Sequence, residues 1–539
     1  MQYLTRVAGA IRGNIIFCLS ATGALILHLA FAWQPLSSLE RFRLITGNGP
    51  LMDDSYIFFK ISRDLADWIA GYAPSLQLTS GFQPLLAFLY SPFFVLVRNS
   101  RELPIHLALS LNALLGFAAN LLLYRLLKHV AGRAIAAFLV SVWIWSPYVM
   151  YQSINGMETT LALLMALIII SYYWKIMQRS PGRIRPWCVL GLALGIGFWT
   201  RVDIAMLGVA VAIDQLWLAV SIDRQMLPLR VRNIFLCAVT ALLVAAPWIA
   251  FTIADTGAIL PISGRAVRLV TGVLFDFRHP GHRDFVSLMY MYFKKELFAF
   301  QPLAALTPFQ LWPLLITALS LAGFLLALRN IRLRSLLRPV WTFQIILVLS
   351  YIFVIGGFWH LNRYLYPVFT LLLFLHAAVL GFAQSKLRLK ALPAGVILAA
   401  LFTVYIFSYA AQYRDQWSNQ LPARYLSASL FARERIPSGV KVGTFQSGCH
   451  SYWLDNRVVN LDGVVNRDAY FALYSKTMDR YLEREKINYL VEEVFLFKMW
   501  DEYLGGQLSR SYNLVDMRVE TKLGEANSKL GIYKRRGKN

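Results

Sequence analysis

The sequence predicts a polytopic α-helical membrane protein with interfacial helices in its first outer loop and a small C-terminal α/β domain outside the bilayer. Three observations carry that expectation. The 539 residues are 57% hydrophobic and only 15% charged, with a mean hydropathy of +0.51, whereas soluble domains carry about a quarter charged residues. Apolar runs close to the length of a bilayer crossing recur as far as residue 411. Past Tyr413 they give way to an Arg/Asp/Glu-rich stretch at 412–435 and then to short alternating segments.

The first apolar run, Asn14 to Trp33, follows Arg6 and Arg12 as a signal peptide would. It is long enough to span the hydrocarbon core and lacks a clear small-residue cleavage site, so it reads as a retained anchor. Further runs lie at 82–98, 104–127, 132–150, 158–177, 187–200, 202–220, 232–253, 307–328, 339–358, 364–383 and 391–411. Five basic clusters separate them: Lys128 and Arg133; Lys175, Arg179, Arg183 and Arg185; Arg224, Arg230 and Arg232; Arg329, Arg332, Arg334 and Arg338; Lys386, Arg388 and Lys390. The positive-inside rule puts all five in the cytoplasm.

If every run crossed from a cytoplasmic N-terminus, the Lys128 loop would fall outside and the rest would invert. The 82–98 run resolves the parity, because it holds Pro84 and Pro92, follows a Gly-containing turn and suits an interfacial or re-entrant pair of helices. About eleven crossings then remain. The loops 34–103, 151–157 and 254–306 share the outer face with the tail. In that tail Val442–Phe445, Val458–Leu461 and Tyr489–Val491 read as strands, with a helix from Met478 to Lys486. The expected division is a membrane module over 1–411 and an outer α/β domain over 412–539.

Composition also removes several function classes. The formal charge of +24 is distributed among short loops and forms no basic stripe, which speaks against nucleic acid as a partner. Cys18, Cys188 and Cys237 fall in apolar spans and Cys449 stands alone, so no disulfide framework is indicated. There is no CxxC, HExxH or Walker-type glycine loop. Asp276, His279, His282 and Asp284 follow no ordered ligand spacing. Cys449 beside His450 lacks a third orienting group for a nucleophile.

The residues able to do chemistry cluster in the outer loops. Met52-Asp53-Asp54-Ser55-Tyr56 opens an amphipathic stretch from Ile57 to Ile69. Asp53 and Asp54 could merely cap that helix, for which one acid would suffice. Two adjacent acids can divide the labour, one taking a proton from an acceptor hydroxyl while the other orients the site or binds a cation. Asn155 and Glu158 have capping-box spacing, yet Glu158 could instead project a carboxylate into the same outer cavity. Thr200-Arg201-Val202-Asp203 interrupts two apolar runs at an outer tip, where ionisable residues either pair with each other or mark function. Arg265, Arg268 and the His360-Leu361-Asn362-Arg363-Tyr364 segment place cations at outer boundaries, against the positive-inside trend. They either snorkel to headgroups or grip a phosphate.

The order of these segments is more specific than any one of them. Asp53-Asp54-Ser55-Tyr56, Thr79-Ser80-Gly81-Phe82-Gln83-Pro84-Leu85, Asn155-Gly156-Met157-Glu158-Thr159, Thr200-Arg201-Val202-Asp203, Leu260-Pro261-Ile262-Ser263-Gly264, Arg363-Tyr364-Leu365-Tyr366-Pro367 and Asn460-Leu461-Asp462-Gly463-Val464-Val465-Asn466 together resemble the bacterial GT-C glycosyltransferases. The resemblance runs over nearly the whole chain, toward the arabinofuranosyltransferase-B-like and protein-mannosyltransferase-like branch. It implies inverting transfer of one sugar, such as a pentofuranose like arabinofuranose, from a polyprenyl-phosphate carrier. The acceptor would be a glycan, glycolipid or protein at the outer face of a bacterial inner membrane, with the N-terminus cytoplasmic and the C-terminal domain periplasmic.

By the same resemblance Asp53 maps to the base, with Asp54 as alternate or helper, and Glu158 loosely to the second outer-loop acid. Tyr56, Gln83, Asp203, His360 and Asp462 fall in its motifs without an assigned duty. Ser80 departs from the commoner Asn, so no role is carried to it; Ser55 and Met157 are lesser departures. A lipid-linked donor brings its own leaving group, which fits the missing nucleotide loop. An arginine such as Arg201, Arg265, Arg268 or Arg363 would stabilise the departing phosphate. No cofactor is required by this scheme, though a divalent cation could serve it. The rival readings are a lipid-linked glycan flippase and a glycan polymerase; neither inverted repeats nor broken helices are apparent to favour a transporter.

Overall fold

The computed structural model describes residues 2–41, 49–71, 79–179, 182–278, 312–355, 361–386, 425–520 and 528–537. Helices α1 (Gln2–Ala32), α2 (Leu36–Arg41), α3 (Asp53–Ile69), α4 (Pro84–Leu96), α5 (Leu103–Ala131), α6 (Arg133–Ile144) and α7 (Pro147–Ser153) lead into α8 (Thr159–Arg179) and α9 (Ile184–Thr200). They are followed by α10 (Ala205–Ser221), α11 (Leu227–Thr256), α12 (Ile262–Arg278) and three longer helices at Trp312–Arg329, Ile331–Ser350 and Tyr366–Lys386. Among the described residues six helices are long and apolar enough to cross a bilayer, or seven if the α6/α7 pair forms one bent span. The 391–411 run and the start of the 307–328 run, both counted among the expected crossings, lie outside the described residues.

Helix α5 shows how the sequence sets these elements. Pro104 starts it at a position that needs no backbone donor, and Lys128 and His129 close it against the negative end of the helix dipole. Its buried Ala108, Ala113, Gly116 and Ala119 let α1, α6, α8 and the Tyr366–Lys386 helix pack around it. Helix α4 has 13 residues, about 20 Å of rise, too short for a core about 30 Å thick. Instead it lies against α3, in keeping with the non-crossing reading of 82–98.

The 132–150 run departs from the expectation of one straight crossing. Its two helices meet at 67°, because Pro147 starts a new helix and the Ser146 hydroxyl accepts the Val149 N–H at 3.3 Å. The bend turns Tyr148–Ser153 inward and delivers the chain to Glu158. At the far end of α10 the apolar run hides a further acid: Asp214 is buried, paired with Arg338 and bonded to the Tyr173 hydroxyl. An intramembrane charge of that kind persists only with a partner.

The C-terminal part forms a five-stranded sheet in the order β2-β1-β3-β5-β4. Its strands are β1 (Val442–Thr444), β2 (Val458–Asn460), β3 (Tyr489–Glu493), β4 (Tyr512–Glu520) and β5 (Ser528–Arg535). β1 pairs in parallel with β2 and β3, whereas β5 runs antiparallel to β3 and β4. The first three strands and the Met478–Arg484 helix fall where the alternation predicts them; β4 and β5 carry no comparable pattern. Glu492 of β3 pins the end of β1, accepting the Phe445 and Gln446 N–H groups at 2.7 and 3.2 Å. Burial and the neighbouring Glu493 charge push its carboxyl up to about 8, against those hydrogen bonds.

This domain docks on one end of the helices through polar ties. Glu40 accepts the Tyr425 and Leu426 N–H groups and the Tyr56 hydroxyl, and Arg101 donates to the Trp453 carbonyl at 2.8 Å. One close approach is at Gly448, where an added Cβ would lie 1.9 Å from the Asp53 carbonyl oxygen. Gly448→Ala should therefore destabilise the docked state by about 1–3 kcal/mol, the usual range for overpacking. Thermal unfolding and limited proteolysis of the C-terminal domain read this out. Gly264→Ala, whose methyl meets nothing within 4 Å, should leave both unchanged, and equal behaviour of the two variants would refute the close contact.

Candidate active site

The site begins at the first turn of α3. Met52 precedes it in extended backbone and donates its N–H to the Ser55 hydroxyl at 3.1 Å, so the helix starts with Asp53 and Asp54 side by side. Successive residues on a helix point about 100° apart, and the two acids take different partners. Asp53 accepts the Gly448 and Cys449 N–H groups, each at 2.9 Å, at the start of the Ser447–Trp453 helix. Asp54 faces the membrane module and accepts from Arg363 at 2.8 Å, with its side chain 32% exposed.

Arg363 is buried and also donates to the Tyr364 hydroxyl at 3.0 Å. The buried Arg201 lies beyond the same ring, with its guanidinium 5.3 Å from the Tyr364 centroid and a bond to the Arg363 carbonyl at 3.4 Å. Asp203 neutralises Arg201 through two oxygens at 3.1 and 2.5 Å. The Tyr351 hydroxyl bridges that pair, 2.7 Å from Arg201 and 2.8 Å from Asp203, and its ring stacks on Tyr364 at 4.7 Å. Tyr351 opens a π-helical turn (Tyr351–Ile355) after the Ile331–Ser350 helix, a local loosening common where helices carry function.

Glu158 joins from the start of α8. The capping box expected at Asn155 is absent: the Asn155 amide oxygen accepts the Met157 N–H at 2.9 Å and its nitrogen donates to Gln152. Glu158 is thereby left for other work, 4% exposed, and it interacts electrostatically with Arg201, Arg363 and Tyr90.

Asp462 arrives from the outer domain on a loop wired to itself. Its carboxylate accepts the Val464 N–H at 2.8 Å, Asn460 accepts the Gly463 N–H at 3.0 Å, and Asn466 donates to the Asn460 carbonyl at 2.8 Å. The Thr79–Gln83 segment presses on this loop, since a Cβ at Gly81 would lie 1.9 Å from the Val464 carbonyl oxygen. Part of Asp462 remains accessible. Its carboxyl is nevertheless pushed from the usual 3.8 to about 7 by burial, opposed by its bonds to Val464 and Asn460 and reinforced by the charges of Asp53 and Asp54.

Asp53, Asp54, Glu158, Arg201, Asp203, Arg363 and Asp462 are thus gathered from regions distant in sequence. Others are not. Tyr56 is fully buried and spends its hydroxyl on Glu40 at 2.9 Å. Arg265 and Arg268 stand on the exposed side of α12, because that helix buries Ile262 and Ala266 against Tyr470. Gln83 stands at the N-cap position of α4 without a side-chain cap bond, its side-chain amide oxygen buried and without a hydrogen-bond partner among the described residues, as is the Tyr90 hydroxyl about two turns further along. His360, His279, His282 and Asp284 lie outside the described residues. Sequence reasoning missed Tyr351, Tyr90 and Glu40, each embedded in or beside apolar residues with no motif to flag it.

Among the described residues no group of three or more His, Cys, Asp or Glu could hold a metal ion. The first-turn acids do not form a cation cage either, since both Asp53 oxygens accept backbone N–H groups and Asp54 is paired with an arginine. The cluster instead offers two buried guanidinium groups facing carboxylates, a geometry that suits charge exchange with a phosphate.

Comparison with known proteins places part of the chain in a family pattern and the whole in a known fold. Residues 83–251 match the family model of the dolichyl-phosphate-mannose-protein mannosyltransferases, a span that holds Glu158, Arg201 and Asp203. No curated protein matches the chain in sequence. The oligosaccharyltransferase of Archaeoglobus fulgidus in its apo form superposes with a TM-score of 0.59 at 13% identity, covering 93% of this chain and 73% of that one. The same archaeal enzyme, AglB, in complex with an inhibitory peptide and a dolichol-phosphate gives 0.54 at 13% identity over 91% and 72%. ArnT from Cupriavidus metallidurans bound to undecaprenyl phosphate gives 0.51 at 15% identity over 95% and 98%. At such identities these likenesses establish the fold. The chain shares the fold of these solved glycosyltransferases. More narrowly, the part of it from α4 to α11 carries the pattern of the protein mannosyltransferases.

The shift at Asp462 has a measurable consequence. A carboxyl whose pKa rises on folding binds its proton more tightly in the folded chain, so its stabilising contribution is complete below about pH 3.8 and is lost as the pH climbs through about 7. Asp462→Asn cannot ionise and should show a shallower fall in thermal stability across that window than the wild type. Identical pH slopes for the two proteins would contradict the raised value.

Proposed function

We propose that the protein is an inverting glycosyltransferase that moves a single sugar from a polyprenyl-phosphate donor to an acceptor at the outer face of the bacterial inner membrane. The observation that carries this reading is the ion pair between Arg363, a buried guanidinium, and Asp54, a part-exposed carboxylate; it supports a phosphate-binding role for the first and a base for the second. The dolichol-phosphate bound by AglB and the undecaprenyl phosphate bound by ArnT support the donor class. The N-terminus is cytoplasmic, residues 1–411 form the catalytic membrane module, and 412–539 form a periplasmic domain.

In this mechanism the donor phosphate takes Arg363 from Asp54, with Arg201 as the second cation. The acceptor hydroxyl attacks the anomeric carbon from the face opposite the phosphate. The carbon–oxygen bond to phosphate breaks, its electron pair leaves on the phosphate oxygen, and the hydroxyl proton passes to Asp54. Both arginines stabilise the departing charge in a site partly shielded from water. One displacement inverts the anomeric centre without a covalent glycosyl-enzyme.

Asp53 is a positioning residue here, because both of its oxygens already hold the outer domain. Glu158 keeps the two arginines charged and oriented, and Asp203 with Tyr351 aligns Arg201. The resemblance admits a pentofuranose such as arabinofuranose as the sugar, and the acceptor is a glycan, glycolipid or protein.

Purified protein supplied with synthetic polyprenyl-phosphate arabinofuranose and mannose should transfer one of them with inversion. Asp54→Asn should lower that rate by about 10²–10⁴-fold, the usual worth of a general base, with the fold unchanged by thermal unfolding. Transfer surviving the change would remove Asp54 as base. Lipid translocation without any transfer would favour a flippase.

A further inference from the structure

Beyond the charge cluster, a polar cleft of about 440 Å³ opens between α3 and the outer domain, within the range of about 300–1,000 Å³ typical of ligand pockets. Ile57, Lys60, Ile61 and Asp64 form one wall. Counted from Asp53 they stand at helical spacing on one face of α3, so the cleft continues the face on which Asp53 begins. The facing wall includes Ser447, next to the Gly448 that holds Asp53, and Asn460, two residues before Asp462. Asp255, at the end of α11, and Thr79 complete the lining.

The charges of this lining are unequally committed. Lys60 is paired with Asp64, and Asp468 with Arg484 at 3.3 Å. Asp255 accepts the Ser80 N–H at 2.8 Å. The Asn460 amide accepts the Gly463 N–H and donates to the Ser447 hydroxyl, and the Asn466 amide donates to the Asn460 carbonyl and the Tyr481 hydroxyl. Arg457 and Arg467, both exposed, form no ion pair among the described residues. A cleft on the face of α3 that begins at Asp53, lined by hydroxyls and amide-bearing loops and carrying, besides the Asp255 carboxylate, two guanidinium groups with no ion pair among the described residues, can hold a hydroxyl-rich anion through those two side chains.

We infer that this cleft binds the acceptor and that the acceptor is a carbohydrate bearing acidic groups, held by Arg457 and Arg467 with its attacking hydroxyl directed along α3 toward Asp54. This rests on the glycosyl-transfer reading above and adds the acceptor's class to it. The acidic group is a carboxylate or phosphate on the sugar, and the two arginines set specificity without touching the reacting atoms.

Binding of tetragalacturonate, maltotetraose and inorganic tripolyphosphate to the full-length protein in detergent tests the inference, with undecaprenyl phosphate measured in parallel. Tetragalacturonate should bind wild type at least tenfold more tightly than maltotetraose. Arg457→Ala/Arg467→Ala should lose that preference, and Arg457→Lys/Arg467→Lys should recover part of it, with all three proteins unfolding at similar temperatures. If the alanine pair does not fold, the lysine pair and the single alanine variants must each weaken tetragalacturonate binding for the inference to survive. Equal binding by wild type and the variants overturns it, as does tripolyphosphate displacing tetragalacturonate with equal or better affinity. A protein that takes undecaprenyl phosphate and ignores tetragalacturonate refutes the acceptor site alone. One that takes tetragalacturonate but no lipid phosphate refutes the donor reading, and the acceptor assignment with it.

Discussion

The molecule turns on the first helical turn of α3, where two neighbouring carboxylates look in different directions. Asp53 is bound by backbone N–H groups of the outer domain, and Asp54 is bound by an arginine of the membrane module. A rotation of about 100° between successive helical positions makes this possible without any special backbone. The two halves of the protein are therefore registered to each other at the site of the proposed chemistry. A shift of the outer domain would move Asp462 and the polar cleft relative to Asp54, because the same short segment fixes both.

The electrostatics of the cluster follow from burial. Arg201 and Arg363 sit where an unpaired cation would cost several kcal/mol, so each comes with acidic and phenolic partners: Asp203 and Tyr351 for one, Asp54 and Tyr364 for the other. Such pairs contribute little net stability, since the desolvation of both members offsets their attraction. Their value lies in orientation. An arginine held by a carboxylate can exchange it for a phosphate of similar geometry and charge, which a solvated surface arginine does less selectively. Asp462 shows the reverse effect: with two carboxylates nearby and little water around it, its proton is retained to about pH 7.

Several elements expected from the sequence are present because local physics alone decides them. Pro104, Lys128 and Gly132 delimit α5; Pro84 starts α4, which is only 13 residues long; alternation places β1, β2 and β3. Local rules misread one place and left a second open. The run at 132–150 looks continuous in hydropathy, yet Ser146-Pro147 breaks it. Asn155 and Glu158 have the spacing of a capping box, but Asn155 folds back on Met157 and leaves Glu158 to the arginines. In each case a short polar side chain chose a nearby backbone partner that periodicity does not register.

The sequence by itself determined that this is a multi-pass membrane protein with a separate C-terminal sheet, and that its acids and arginines in the outer loops were the residues to watch. Hydropathy and charge are sums over local composition, and they are legible without coordinates. Only the tertiary structure decided which of those residues meet: that Asp54 takes Arg363 while Asp53 takes Gly448, that Arg265 and Arg268 stay outside the cluster, and that Tyr351 enters it from within an apolar run. Those pairings join positions hundreds of residues apart, and they are fixed by close approaches such as Gly448 on Asp53 and Gly81 on Val464, which depend on how helices and sheet pack and leave no periodic trace in the chain.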